Sequence, residues 1–147
     1  MTTDKSAGFE VDRDMAQECF TVGDLPLCRV LLKDDCNYPW FVLMPRRAEV
    51  SEFYELDDED LGQFWKESSA FGRLLMQHLR GHKLNVAALG NVVPQLHVHH
   101  IVRQTGDPAW PRPVWNVVPA KAYEESSVEV LIGEIRSLLK QGGLLMR

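Results

Sequence analysis

Nine residues, Gln95 to Arg103, limit what this chain can fold into more than any other stretch. They read Gln-Leu-His-Val-His-His-Ile-Val-Arg, with polar and apolar residues nearly alternating. In a strand, side chains point alternately to opposite faces. A strand over Leu96–Val102 therefore puts Gln95, His97, His99 and Ile101 on one face. Leu96, Val98, His100 and Val102 share the other, which is apolar enough to lie on a core. His100 breaks that apolar face; it is assigned no catalytic role and can reach solvent at the strand end.

The rest of the chain supplies partners for this strand. Phe20–Val22 and Leu27–Leu32 flank Gly23-Asp24 and Pro26, the pattern of a hairpin. Trp40–Met44 is a short apolar run closed by Pro45 and reads as a buried strand. Asn85–Leu89 reads as a further strand, joined to the histidine strand through Gly90–Pro94. Asp12–Cys19 suits a short helical turn. Acidic residues 57–60 open a helix, because they face the positive end of its dipole. Leu61, Phe64, Trp65, Ser68, Phe71, Gly72, Leu75 and Leu79 follow at helical spacing up to Gly81. Ser126–Glu129 has the form of a capping box, followed by an apolar helical stripe that Gly142-Gly143 stops. About five strands, clustered around hairpin turns, and two main helices predict an α+β fold with an antiparallel sheet. A chain of 147 residues suits one domain, with residues 1–8 a loose leader and 104–147 a Pro- and Trp-rich loop and a final helix.

Charge and cysteine content narrow the partners. Sixteen basic residues against twenty-one acidic ones give a net charge of −5, with no basic stripe to track a nucleic-acid backbone. No apolar run approaches the ~20 residues that span a bilayer, and the first residues carry no secretory signal. Three cysteines with no CxxC pair make a poor disulfide framework and fit a reduced, cytoplasmic setting.

The polar face of the histidine strand carries the chemistry. Side chains two apart on a strand lie roughly 7 Å apart, so His97 and His99 can engage one phosphate group or one metal ion. A neutral imidazole is a good nucleophile, and attack on phosphorus splits a hard substitution into two easier ones. Its second ring nitrogen then needs a hydrogen-bond acceptor to fix the tautomer. A His-x-His pair also suits a metal enzyme, but that needs further ligands; His78, His82 and the carboxylates stand at no telling spacing. A satisfied structural role for the histidines is the third reading.

On these residues the sequence resembles the histidine-triad (HIT) family of nucleotide hydrolases and transferases. The family motif is His-x-His-x-His followed by two apolar residues, on a strand after a Gly-containing loop. Gly90–His99 fits that register, as Gln-x-His-x-His. Trp40–Arg47 resembles the family's strand ending in Pro-x-Arg, and the acidic helix start at Asp57 follows in place. The resemblance runs from about Cys28 to Arg103. Two positions depart from the family pattern: Gln95 stands at the first triad histidine, and Trp40 at an upstream histidine.

The resemblance implies a HIT-like antiparallel sheet, a homodimer, no cofactor and no metal. It makes His97 the nucleophile and His99 the phosphate-binding histidine, with Gln95 completing the catalytic set. Asn85 and Asn91 fall where the family uses amides near the phosphates, and Asp35 near its ribose-binding residue, with Asn37 and Asp34 as neighbours able to take that place. Trp110 and Trp115 suit core or dimer packing, or stacking on a base; Arg103 suits phosphate or solvent. The expected activity is a nucleotidyl hydrolase or transferase. It would cleave a nucleoside phosphate conjugate, such as a dinucleoside polyphosphate or phosphoramidate. The alternatives are a nucleotide-binding module without catalysis and a metal-dependent enzyme using His97 and His99.

Overall fold

Pro26 cannot donate to a ladder, so the chain must turn there. In the computed structural model, which describes residues 4–145, β1 (Cys19–Asp24) and β2 (Cys28–Lys33) form the predicted hairpin. Leu25 N–H donates to Cys28 O across the turn at 2.8 Å. β1 carries a bulge between Thr21 and Gly23. β3 (Trp40–Pro45) is buried along its whole length, as its apolar run requires. β4 (Lys83–Ala88) and β5 (Val98–Arg103) complete one sheet in the order β1-β2-β3-β5-β4, every pair antiparallel. The architecture is α+β, as expected. β5 begins at Val98, two residues later than the sequence pattern suggests. Leu96 instead donates its N–H to Val50 O at 2.9 Å.

Among the described residues, three α-helices join the sheet. α1 (Arg13–Glu18) is one short piece capped by Asp12, whose carboxylate accepts from the N–H groups of Asp14 and Met15. α2 (Asp58–His78) starts at Asp57, whose side chain accepts from Asp60 N–H at 2.8 Å. α3 (Glu125–Gln141) ends before Gly142, and Gly143 takes a left-handed φ of 70°, the conformation glycine adopts most cheaply. The capping box expected at Ser126 does not form. Glu124 O already accepts from Val128 N–H, so the helix is under way when Ser126 is reached.

The α2 stripe also differs in one place. Trp65 is 47% exposed and stacks on Phe53. The buried positions are Phe64, Ser68, Phe71, Gly72 and Leu75, with Glu67 beside them. Glu67 is 2% exposed, yet its carboxylate is satisfied. It accepts from the N–H groups of Leu27 and Cys28 at 2.8 and 2.9 Å, and from Gln63 Nε2 at 2.6 Å. A buried charge is tolerated only when hydrogen-bonded in this way, and here it ties α2 to the first hairpin.

Strand alternation gives the sheet two covered faces. On one, Val30, Leu32, Phe41, Leu43, Val98 and Val102 pack under α2 and α3. On the other, Leu31, Trp40, Val42, Met44 and Ile101 pack under α1 and irregular chain. That cover comes from Phe9, Val11 and Met15 on the N-terminal side, and Ala109, Val114 and Trp115 on the C-terminal side. Residues 1–3 of the expected leader lie outside the described residues, as do residues 146 and 147. The described part of the leader, residues 4–8, forms turns, and Lys5 pairs with Asp57 and Asp60.

Candidate active site

His99 and His100 are consecutive on β5 and so fall on opposite faces. His100 is fully buried under α2 and does not reach solvent, contrary to the sequence-based expectation. Its Nδ1–H donates to Val98 O at 3.0 Å, and its Nε2 lies 2.7 Å from Ser68 Oγ. Both nitrogens are thereby satisfied inside the core beside Phe71. Burial, opposed only by the Val98 carbonyl, pushes its pKa down to about 4.

His99 lies on the irregularly covered face. Trp40, two strand positions away in β3, donates its indole Nε1–H to His99 Nδ1 at 2.8 Å. An indole nitrogen is only ever a donor. His99 Nδ1 must therefore be the unprotonated nitrogen, and the ring proton sits on Nε2. The surroundings hold His99 neutral: burial chiefly, then the proximity of His97, Lys33 and His100, which disfavours a second positive charge, push its pKa down to about 3. Trp115 closes against both rings, edge-on to His99 at 5.1 Å and to Trp40 at 5.4 Å.

His97 precedes the ladder. Its ring centroid stands 5.1 Å from that of His99, the planes 80° apart. His97 Nδ1 lies 2.6 Å from Gln95 O. A carbonyl only accepts, so this nitrogen carries the proton, and the neutral ring has its lone pair on Nε2. The two imidazoles are thus fixed in opposite tautomers. His97 offers a lone pair at Nε2, and His99 offers an N–H at the same position. A small cavity of about 40 Å³ borders His97, lined also by Ser51, Gly90, Pro94 and Gln95.

The side chain of Gln95 does not join the imidazoles. Its Nε2 donates to Glu10 O at 2.8 Å, and its Oε1 accepts from Asp12 N–H at 2.7 Å. One amide group thereby holds the N-terminal segment much as a neighbouring strand would. The same residue's backbone carbonyl orients His97.

The other expected binding residues fall in different places. Asn85 on β4 shares the face of His99, and its Oδ1 accepts from Arg103 Nη1 at 2.9 Å. With Ala87, Pro111, Pro113 and Trp115 it lines a groove of about 450 Å³. Asn91 is exposed in the turn after Gly90, whose φ of 73° favours glycine. Asp35 is buried and faces the C-terminal segment: its Oδ1 accepts from Asn37 and from Lys121 N–H. Asp34 Oδ1 accepts from Tyr123 N–H at 2.8 Å, and Asn37 Nδ2 also donates to Pro119 O. These residues order the turn before β3.

Arg103 does not reach solvent. It is 1% exposed and bidentate on Asp107, at 2.8 and 3.0 Å. Asp107 also accepts from the N–H groups of Gln104, Ala109 and Trp110, and so shapes the loop that carries Trp115. Burial alone would raise the Asp107 carboxyl; Arg103 and these backbone donors outweigh it and hold its pKa below the usual range. Trp110 packs against His82 and Arg103. Among the described residues, no three His, Cys, Asp or Glu side chains gather as a metal-binding group, and no helix is long and apolar enough to cross a membrane.

Sequence reasoning missed Lys33. It ends β2 with its Nζ 4.4 Å from the centre of the Trp40 ring. The signal was the register of β2 on β3, which the intervening turn conceals. The hydrogen bond from Trp40 to His99 was also hidden, because an indole there looks like the loss of an imidazole.

Comparison with known proteins agrees with this geometry. A family model described as "HIT domain" matches residues 15–106. A histidine triad protein of Marinobacter aquaeolei is 44% identical, with a TM-score of 0.87 over 90% of this chain and 97% of that one. One from Bradyrhizobium japonicum is 43% identical, with a TM-score of 0.86 over 88% and 96%. A third, from Sinorhizobium meliloti, is 34% identical, with a TM-score of 0.88 over 91% and 99%. Among curated proteins none matches in sequence. With the matched model spanning most of the chain and histidine triad proteins 34–44% identical over nearly their whole length, the chain belongs to the HIT-domain family, whose activities concern nucleotides.

Proposed function

We propose that this protein is a nucleotidyl hydrolase working through a covalent histidine intermediate. Its substrates would be nucleoside phosphate conjugates, dinucleoside polyphosphates or phosphoramidates. The observation that carries the reading is the pair of opposed tautomers: a lone pair on His97 Nε2 beside an N–H on His99 Nε2. In the first step His97 Nε2 attacks the α-phosphorus, and the bond from phosphorus to the leaving group breaks. His97 Nδ1–H stays on Gln95 O and helps carry the positive charge that develops on the ring. His99, neutral and donating, hydrogen-bonds a phosphoryl oxygen or the leaving atom. In the second step water attacks the same phosphorus, the P–N bond breaks, and a mononucleotide leaves with His97 restored. No metal is required in this scheme. A homodimer and a cytoplasmic location belong to the same reading; light scattering on the purified protein tests the first.

The test is rapid acid quench with a radiolabelled nucleoside phosphoramidate. A nucleotidyl adduct is expected on the wild type and absent from His97→Ala. Binding without adduct or turnover would identify a nucleotide-binding module instead. Activity lost on chelation and restored by one metal would point to the metal-dependent alternative.

A further inference from the structure

Lys33 is half-buried on the same sheet face as His99, its ammonium over Trp40. The two acids that follow it in the chain are bonded elsewhere. Asp34 is turned onto Tyr123 N–H, and Asp35 onto Asn37 and Lys121. Cys19, opposite it on β1, is a thiol that burial pushes up to about 11, so it supplies no counter-charge. Among the described residues Lys33 makes no ion pair. The other cations packed on the body of the protein do: Arg29 with Asp24, Arg47 with Asp60, Arg103 with Asp107. In a chain with an excess of acidic residues, a partly desolvated ammonium that lies across Trp40 from His99, close enough to lower that imidazole's pKa, and rests on a π-cloud is poised to take up an anion.

We propose that Lys33 is a specificity residue that binds a second oxyanion of the substrate, beyond the phosphoryl group engaged by His97 and His99. The proposal deepens the reading above by naming the substrate class: nucleotide conjugates that carry an additional phosphate or carboxylate. The lysine stem stays on Trp40, and the ammonium turns from the ring face to the oxyanion. The same chemistry serves a phosphate on the nucleoside or a carboxylate on the leaving group.

Equilibrium binding tests this without depending on turnover. Adenosine 5′-monophosphate is compared with adenosine 3′,5′-bisphosphate. Simple adenosine phosphoramidate is compared with one whose amine carries a carboxylate, using His97→Ala to prevent cleavage. At least one doubly anionic ligand should bind about tenfold more tightly than its parent, the scale of one charge-assisted contact. Whichever ligand does so identifies the source of the oxyanion. The preference should vanish in Lys33→Met and Lys33→Gln, return in Lys33→Arg, and shrink with added salt in the unaltered protein. No preference in either pair, or one that both neutral variants keep, overturns the proposal. Should a neutral variant fail to fold, a preference insensitive to salt in the unaltered protein overturns it equally. A missing nucleotidyl adduct, with the charge preference intact, removes the hydrolase reading and leaves Lys33 in its role.

Discussion

His99 and His100 are adjacent in sequence and differ in almost everything else. One faces a cover of two helices, where Ser68 and Val98 satisfy both ring nitrogens. The other faces a cover of irregular segments, where Trp40 satisfies one nitrogen and leaves the other available. The helical face is closed because regular helices with apolar stripes fill it. The irregular face can hold a site because loops bring single groups, a carbonyl here and an indole there, to stated atoms. Both faces carry a buried core, and the candidate site lies on the irregularly covered one.

Substitutions can break this division. The largest effect is expected at His97: replacement by Ala should cost at least about a thousandfold in kcat, as loss of a nucleophile does elsewhere. The thermal midpoint should barely move. Next is Phe71→Ala on the helical face, expected to destabilise by about 3–5 kcal/mol through cavity formation. Chemical denaturation should show that loss, with the adduct still forming on folded enzyme. If the adduct disappears while the fold survives, the two faces are not independent.

Smaller effects sharpen the comparison. Trp40→Phe keeps the ring but removes the indole donor, releasing His99 to take the other tautomer. A loss of about 10–100-fold in kcat is expected, below the roughly 100–1,000-fold cost of deleting a transition-state donor outright, with KM changed less. Gln95→Ala cuts the N-terminal segment loose but leaves the backbone carbonyl on His97. A loss of about tenfold or less is expected, together with faster amide exchange at residues 10–12.

The pH dependence of stability tests both histidines at once. Each is held neutral in the fold, His99 near 3 and His100 near 4, against about 6.5 in the unfolded chain. Between those values the unfolded chain binds more protons than the folded one. Stability is therefore full above about pH 6.5 and falls as pH drops toward 4. Urea midpoints should decline through that window. His100→Phe should flatten the decline without touching the adduct.

Much of this was readable in the sequence because alternation and helical spacing are local. The hairpin, the buried β3 run and the division of the histidines between faces follow from side-chain periods alone. Trp65 was misplaced because an apolar stripe does not say which flank wins the core; Glu67 won it through its bonds to the Leu27 and Cys28 amides. Arg103 was misread because its partner Asp107 lies on a loop whose path is set only by the fold. That His97 and His99 stand together was legible, but the hydrogen bonds that orient their rings were not. Those depend on a carbonyl and an indole whose positions come from strand register.

Gln95 grips the N-terminal segment through two backbone groups, Glu10 O and Asp12 N–H. A grip on backbone is indifferent to what residue 10 is and sensitive to where it lies. The segment should accept many substitutions at Glu10 but not a proline at position 12, nor the gain or loss of one residue between them. Its spacing, more than its composition, is what inheritance must preserve.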